Sequence, residues 1–234
     1  KKMIKKKKKR NICVAIFSRA NYGSIRKVME KLKKSPNINL QILVGGSANI
    51  EKYGLVSHLI KKDKFKINEE IYFLVEGETP TTMVKTTALG MIEIATAFER
   101  LKPDIVLTIG DRYETLSTVV SAAYMNIPVA HTMGGEITGT IDESIRHAIT
   151  KFSHIHFPAN KKAKLNIIRM GEEKKNVHNV GCPRIDLVKA CLNEKQKDIN
   201  KLVFERDEGV GEKFNLKKDF ITLMHYPVTT EYGK

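Results

Sequence analysis

The sequence has only three cysteines, Cys13, Cys182 and Cys191, and their spacing is not that of a metal site. An odd number of cysteines without a disulfide framework is typical of free thiols in a reducing cytoplasm. No run of about 18 apolar residues occurs, which argues against a membrane-spanning helix. The Lys-rich start is not followed by the apolar segment of a secretory signal. These absences predict a cytoplasmic protein with no membrane partner.

Acidic residues are scarce relative to basic ones, with 26 Asp and Glu against 41 Lys and Arg and a net charge of +15. Residues 1–10, KKMIKKKKKR, supply eight positive charges and no negative one. We interpret this basic N-terminal arm as a mobile, solvated terminus. The alternative is contact with anionic lipid or nucleic acid. The remaining basic residues are spread along helix faces, so we expect no nucleic-acid partner, and a moderately basic body suits an anionic substrate such as a nucleotide.

Strand-like and helix-like segments alternate over residues 11–182. The predicted strands are 11–17, 38–44, 70–75, 104–109, 127–133, 154–157 and 177–180. The predicted helices are 26–34, 53–62, 82–101, 114–125, 141–152 and 160–170. This alternation predicts an α/β domain, a doubly wound parallel sheet of Rossmann-like type with helices on both faces. We expect bridging helices in the linker 183–218, and we expect residues 219–234 to begin a second Rossmann-like domain with a further strand.

Polar side chains follow three of the predicted strands. Arg19 comes after the first strand and Asp111 after the fourth, and Glu136 comes after the paired glycines Gly134 and Gly135 that end the fifth. Parallel strands point their carboxyl ends at one edge, where ligands bind, and the usual strand order is 3-2-1-4-5. We therefore expect Arg19, Asp111 and Glu136 to share one crevice. Paired glycines would let the backbone approach a ligand closely.

The helix after Glu136 adds Asp142, Arg146 and His147 to this region. Two or three carboxylates with an arginine and a histidine suit proton removal and return, with the arginine holding an anionic leaving group. Neither a GxGxxG turn nor a Walker P-loop occurs, which argues against those cradles for NAD and ATP. Thr140 and Glu143 fit a capping box, in which Glu143 would reach back to the Thr140 amide. The expected buried stripe of this helix is Ile141, Ile145 and Ile149.

Each of these residues also has a purely structural interpretation. Asp111 would serve as a turn former or helix N-cap, and Arg19 would pair with a nearby carboxylate. Asp142 lies in a first helical turn, where the helix dipole stabilises an anion. Arg146 and His147 would form ion pairs along their own helix.

Four longer blocks occur in order along the sequence: ICVAIFSRANYG, KPDIVLTIGDRYETL, HTMGGEITGTIDESIRHAITK and HYPVTTE. Together they resemble the hydrolysing UDP-N-acetylglucosamine 2-epimerases of sialic and related nonulosonic acid synthesis, and the resemblance covers nearly all of residues 11–234. It implies the N-terminal half of a two-domain GT-B-type fold, with the active site between the domains. It also implies that the C2 proton of the sugar is removed while UDP leaves from C1. Water then adds, releasing the free 2-epimer, with no metal and no nicotinamide cofactor.

The resemblance also implies roles for individual residues. The implied catalytic residues are Asp111, Glu136, Asp142 and His225. The implied substrate-binding residues are Arg19, Arg112, Gly134, Gly135, Arg146 and His147. The family has His directly before Pro in the last motif, whereas here Tyr226 precedes Pro227, so either a backbone shift restores His225 or Tyr226 replaces it. With most of a second domain absent, we expect the chain alone to be poorly active.

The sequence is compatible with several functions. The sugar is N-acetylglucosamine or a 2,4-diacetamido-6-deoxy sugar, and the activating nucleotide and the assignment of acid and base are undecided. The alternatives are a non-hydrolysing epimerase, a GT-B glycosyltransferase and a non-catalytic binding domain. The family resemblance implies a homo-oligomer, either a dimer or a tetramer.

Overall fold

The computed structural model describes residues 8–192, 212 and 215–224. The chain divides into two compact units, Lys1–Arg184 and Ile185–Lys234. The strands are β1 (Arg10–Ile16), β2 (Ile38–Val44), β3 (Glu69–Glu70), β4 (Ile105–Ile109), β5 (Val129–Thr132) and β6 (Ile155–Phe157). The helices are α1 (Arg19–Lys34), α2 (Val56–Lys62), α3 (Pro80–Leu101), α4 (Tyr113–Tyr124), α5 (Ile141–Phe152), α6 (Lys161–Arg169) and α7 (Pro183–Leu192). Within these described ranges, no helix combines the length and the apolar composition needed to cross a membrane.

The six strands form one parallel sheet in the order β3-β2-β1-β4-β5-β6. The predicted doubly wound architecture is therefore confirmed. The strand order reverses between β1 and β4, and the connections after these two strands run to opposite faces of the sheet. A crevice opens at the carboxyl edge at such a point.

Both faces of the sheet are buried, which explains the nearly continuous apolar runs of the central strands. Cys13, Ala15 and Phe17 contribute to a core cluster with Ile94 and Phe98 of α3. The alternate residues of β1 point to the other face. The cluster on that face includes Val14, Ile16, Ile25, Met29 and Ile60.

The predicted third strand, 70–75, is wrong for most of its length, because pairing stops at Glu70. Its apolar residues are nevertheless buried, with Ile71 and Phe73 only 3% and 4% exposed. Side chains replace the missing ladder: Asn49 Nδ2 donates to the Ile71 carbonyl at 3.3 Å, and the Val75 amide donates to Thr86 Oγ1 at 3.0 Å. The apolar pattern in this edge segment therefore reported burial and not strand pairing.

Other boundaries also differ from prediction. Helix α1 begins seven residues early, because Ser18 Oγ accepts a hydrogen bond from the Asn21 amide and caps it. A 3-10 turn and left-handed backbone at Gly54 and Leu55 divide the predicted helix 53–62. The predicted strand 177–180 is a single bridge at Val177, and residues 219–224 form no strand. The predicted domain boundaries stay a prediction.

Candidate active site

Asp111 lies in the short connection between β4 and α4. It does not cap the helix, because Arg112 occupies the N-cap position and no side chain caps there. Its carboxylate accepts hydrogen bonds from Nε of Arg146 at 2.9 Å and from Nη2 of the same guanidinium. The two structural interpretations, a cap for Asp111 and an ion pair within its own helix for Arg146, are therefore wrong. The pair joins the connection after β4 to α5.

Arg146 is the buried centre of this arrangement, with only 4% of its surface exposed. Its Nη1 donates to the backbone carbonyl of Glu136 at 2.6 Å and reaches Thr138 Oγ1 at 3.4 Å. A buried cation requires partners of this kind, since an unpaired one is strongly unfavourable. Arg146 therefore sets the relative positions of Asp111 and Glu136. Its Nε, Nη1 and Nη2 groups all donate hydrogen bonds to protein atoms.

The paired glycines approach protein atoms closely. A Cβ atom on Gly134 would lie 2.8 Å from Nδ1 of His131, and one on Gly135 would lie 2.3 Å from the carbonyl oxygen of Ala163 in α6. Gly135 also has a φ of +82°, which favours glycine. These close approaches to protein atoms account for glycine at both positions without the expected approach to a ligand. They let the turn that carries Glu136 fit between β5 and α6.

Asp111 and Glu136 line one cavity of about 90 Å³ at the carboxyl edge of the sheet, as the sequence predicts for these two residues. The cavity is lined by Ala20, Asn21, Ser24, Ile109, Gly110, Asp111, Arg112, Met133, Glu136 and Arg184. Arg19 does not line it. That side chain is exposed at the start of α1, with its guanidinium 4.0 Å from the position of a Cβ on Gly54. The structure therefore brings together two of the three residues expected in the crevice.

Arg112 also faces the cavity, and its charge is compensated. Its Nε and Nη2 donate to the two carboxylate oxygens of Glu114 at 3.0 and 2.8 Å. Glu114 is completely buried. A planar guanidinium in this bidentate geometry is held firmly, so Arg112 is a rigid part of the cavity wall.

Asp142 lies in the first turn of α5, as predicted, and does not line the cavity. Partial burial raises the pKa of its carboxyl, and the negative charge of Asp111 raises it further, while Arg146 and Arg112 oppose both effects. The protonated form of Asp142 is therefore favoured relative to a free aspartate.

Glu143 does not form the predicted capping box, because the Thr140 side chain accepts no capping bond. Its Oε2 instead accepts the amides of Gly139 and Thr138, both at 2.6 Å, and these bonds lower the pKa of Glu143. His147 Nε2 lies 3.8 Å from Glu143 Oε1, which agrees with its alternative role in the helix. Ile141 is 40% exposed, so the predicted isoleucine stripe is wrong at that position. His225 and Tyr226 lie outside the described residues.

The sequence and the fold were compared with those of known proteins. The family model described as UDP-N-acetylglucosamine 2-epimerase matches residues 30–233. The chain belongs to this family. Among its relatives, a GDP/UDP-N,N'-diacetylbacillosamine 2-epimerase (hydrolyzing) of Campylobacter jejuni is 33% identical, over 94% of this chain and 55% of the relative. A UDP-N,N'-diacetylbacillosamine 2-epimerase (hydrolyzing) of Legionella pneumophila is 36% identical, over 95% and 56%. This family member thus spans about half the length of these curated relatives.

Solved structures support the fold class. The crystal structure of a UDP-GlcNAc 2-epimerase from Neisseria meningitidis bound to UDP-GlcNAc has a TM-score of 0.69 at 19% identity, covering 78% of this chain and 49% of that one. A putative UDP-N-acetylglucosamine 2-epimerase from Listeria monocytogenes has a TM-score of 0.73 at 18% identity, covering 82% and 50%. Together they confirm the predicted fold, an α/β domain that corresponds to one half of a GT-B-type epimerase structure.

Three polar residues of this epimerase-family domain position the site although they are not among the predicted site residues. Asn21 Oδ1 accepts the Phe17 amide at 3.2 Å and its Nδ2 donates to the Ile109 carbonyl at 3.3 Å, which ties the ends of β1 and β4 together. His131 is 1% exposed, and its Nε2 donates to the Gly110 carbonyl at 2.8 Å. Burial lowers the pKa of His131 to about 4, so the ring is neutral near pH 7. The third is Glu114. In the sequence, the only feature that marks Asn21, His131 and Glu114 is that each lies near the end of a predicted strand.

Proposed function

We propose that this chain is the N-terminal part of a hydrolysing nucleotide-sugar 2-epimerase. The enzyme converts UDP-N-acetylglucosamine, or a UDP-2,4-diacetamido-6-deoxy sugar, to UDP and the free 2-epimer. The observation that carries the proposal is the cavity at the carboxyl edge of the sheet that Asp111, Arg112 and Glu136 all line. Family membership supports it, as do the two relatives whose names include hydrolysing 2-epimerase activity.

The available contacts suggest a division of roles among the carboxylates. Glu136 has no cationic partner among the described residues, and its Oε1 meets only the Asn160 amide nitrogen at 3.3 Å. It is therefore the carboxylate with most freedom to accept the C2 proton. Asp111 is held by Arg146 and supplies fixed negative charge. Asp142 is exposed and lies outside the lining of the cavity, so its proposed catalytic role rests on the resemblance.

The remaining roles proposed from the resemblance concern binding. Arg19, Arg112 and His147 would contact the substrate, and Gly134 and Gly135 would shape the turn beside it. Arg146 would act on the substrate through the positions of Asp111 and Glu136. His225 is proposed as a further catalytic residue.

The reaction is tested in deuterated water by proton NMR. The intact protein, of which this chain is proposed to be the N-terminal part, is incubated separately with UDP-N-acetylglucosamine and with the UDP-linked diacetamido sugar. We expect free UDP and a 2-epimer that carries deuterium at C2, because the abstracted proton exchanges before water adds. Protium retained at C2 would exclude proton abstraction, and a product still linked to UDP would indicate a non-hydrolysing epimerase. The faster of the two substrates identifies the sugar; the names of the relatives favour the diacetamido sugar.

Replacing Glu136 by Gln tests the proposed base. The amide keeps the size of the side chain but cannot take a proton, so turnover should fall by at least about 100-fold while UDP affinity changes little. The matched control is Glu99→Gln, which alters an exposed glutamate on α3 and should leave turnover unchanged. A Glu136→Gln protein that retains most of its turnover would remove Glu136 from the proposed role.

We also propose a homo-oligomer and a role in nonulosonic acid synthesis in the cytoplasm. Helix α3 supports self-association, because it exposes three large apolar side chains: Val84 at 69%, Leu89 at 42% and Ile92 at 62%. Exposed apolar surface of this kind is typical of contact sites between proteins. Sedimentation velocity should detect a dimer or tetramer, and a monomer at all concentrations would contradict this proposal.

A further inference from the structure

Two arginines, Arg112 and Arg184, line the cavity, and of these only Arg112 forms an ion pair within the described part of the chain. Arg112 is paired with Glu114, and Asp111 is paired with Arg146. Arg184, in the first turn of α7, faces the same cavity. No carboxylate in the described part of the chain forms an ion pair with it. Its guanidinium therefore brings a positive charge, without an ion-pair partner among the described residues, to the cavity that Asp111 and Glu136 also line.

Ser24 of α1 holds this guanidinium in a defined orientation. The Ser24 hydroxyl donates to the Ala20 carbonyl at 2.7 Å, so its proton is used within the helix. Its lone pair then accepts Nε–H of Arg184 at 2.6 Å. The bond joins residues 160 positions apart in the chain. Neither Nη group donates a hydrogen bond to any of the described residues, so both can serve as donors for a ligand.

A guanidinium that is held at Nε and has both Nη groups unengaged by the described residues matches an oxyanion that accepts two parallel hydrogen bonds. Phosphate oxygens are the usual partners for this geometry, and arginine is preferred there over lysine because its fork is planar. The proposed reaction requires such a partner, since a nucleoside diphosphate leaves the sugar beside Asp111 and Glu136. Negative charge increases on the phosphate oxygens as the bond to C1 breaks, so a fixed cation at that place favours departure.

We propose that Arg184, oriented by Ser24, binds the diphosphate of the nucleotide sugar and stabilises it as the leaving group. This assignment rests on the proposed function and adds a binding residue to it. Arg184 acts together with Arg112, the other arginine that lines the cavity. We expect Arg184 to contact the phosphates and not the nucleoside, so its contribution to binding should depend on the presence of phosphate.

Binding measurements with three probes test the assignment. The protein is titrated calorimetrically with UDP, inorganic pyrophosphate and uridine, first unchanged and then as Arg184→Gln. A bidentate, charge-assisted contact predicts that the variant binds UDP and pyrophosphate about 10-fold or more weakly and uridine equally well. Arg184→Lys should recover only part of the affinity, because an ammonium group cannot reproduce the fork. Ser24→Ala should weaken UDP about two- to fivefold by releasing Nε.

The matched control is Arg169→Gln, which removes an exposed arginine at the end of α6 that forms no ion pair among the described residues. It changes the net charge equally and should not change affinity for UDP. Circular dichroism and thermal unfolding establish that each variant is folded. Unchanged UDP affinity in a folded Arg184→Gln protein, or an equal loss in Arg169→Gln, overturns the assignment alone. An unchanged protein that binds neither UDP nor pyrophosphate overturns the proposed function as well.

Discussion

The buried histidine that supports the Asp111 connection makes stability depend on pH in a definite direction. Burial lowers the pKa of His131 from its ordinary value of 6.5 to about 4. The unfolded chain therefore binds this proton more readily than the folded protein does. Stability contributed by the neutral ring is complete above pH 6.5 and is lost as the pH falls towards 4.

The size of the effect follows from the pKa difference. One pKa unit corresponds to about 1.4 kcal/mol, so about 3 kcal/mol of the free energy of unfolding should be lost between about pH 7.5 and pH 4 because of this residue. No discount for solvent screening applies, since His131 is 1% exposed. The same ring donates to the Gly110 carbonyl, and protonation would place a charge between β4, β5 and α5.

The assay is urea denaturation at several pH values for the unchanged protein and two variants. His131→Gln keeps an N–H donor for the Gly110 carbonyl but does not titrate, so its stability should fall by about 3 kcal/mol less than that of the unchanged protein over this range. His131→Leu should lose about 1 kcal/mol relative to His131→Gln near neutral pH, since the carbonyl is left unpaired. His156, whose pKa is also lowered by burial, remains in all three proteins and cancels in the comparison. Parallel pH profiles of the unchanged and Gln proteins would refute the reasoning.

Two further predictions concern the support of the site. Arg146→Met should lower the free energy of unfolding by about 3 kcal/mol, because it leaves the partly buried Asp111 carboxylate without its partner. Adding Asp111→Asn should recover part of that loss. Urea denaturation of the single and double variants measures both effects, and additive losses of stability would contradict the pairing. Gly135→Ala should cost about 3 kcal/mol, since the new methyl group would meet the Ala163 carbonyl oxygen at 2.3 Å. Gly139→Ala is the matched control, because Gly139 has a similar φ of +73° but open space around it, and it should cost only about 1 kcal/mol. Equal losses of stability in the thermal melts of the two variants would show that the close approach at Gly135 is unimportant.

Local pattern was sufficient wherever burial and pairing coincide. The central strands β1, β2 and β4 were predicted within one residue, because each is buried on both faces and flanked by turn residues. The segment 71–75 shows the limit of the same reasoning. Its apolar residues are buried, yet the Ile71 carbonyl and the Val75 amide are bonded to the side chains of Asn49 and Thr86 and not to a neighbouring strand. An apolar pattern in the sequence indicates that a segment is buried, but it does not indicate which group pairs with each backbone amide or carbonyl.

The sequence by itself determined the parallel sheet, the family resemblance and the meeting of Asp111 and Glu136 at one edge. These follow from the alternation of strands and helices and from the rule that parallel strands end at a common edge. Only the tertiary structure decided the partners: Asp111 with Arg146, Arg112 with Glu114, and Arg184 with Ser24. The last pair is separated by 160 residues. Charged and polar side chains choose their partners by proximity in space, and the spacing of residues along one helix or loop does not contain that information.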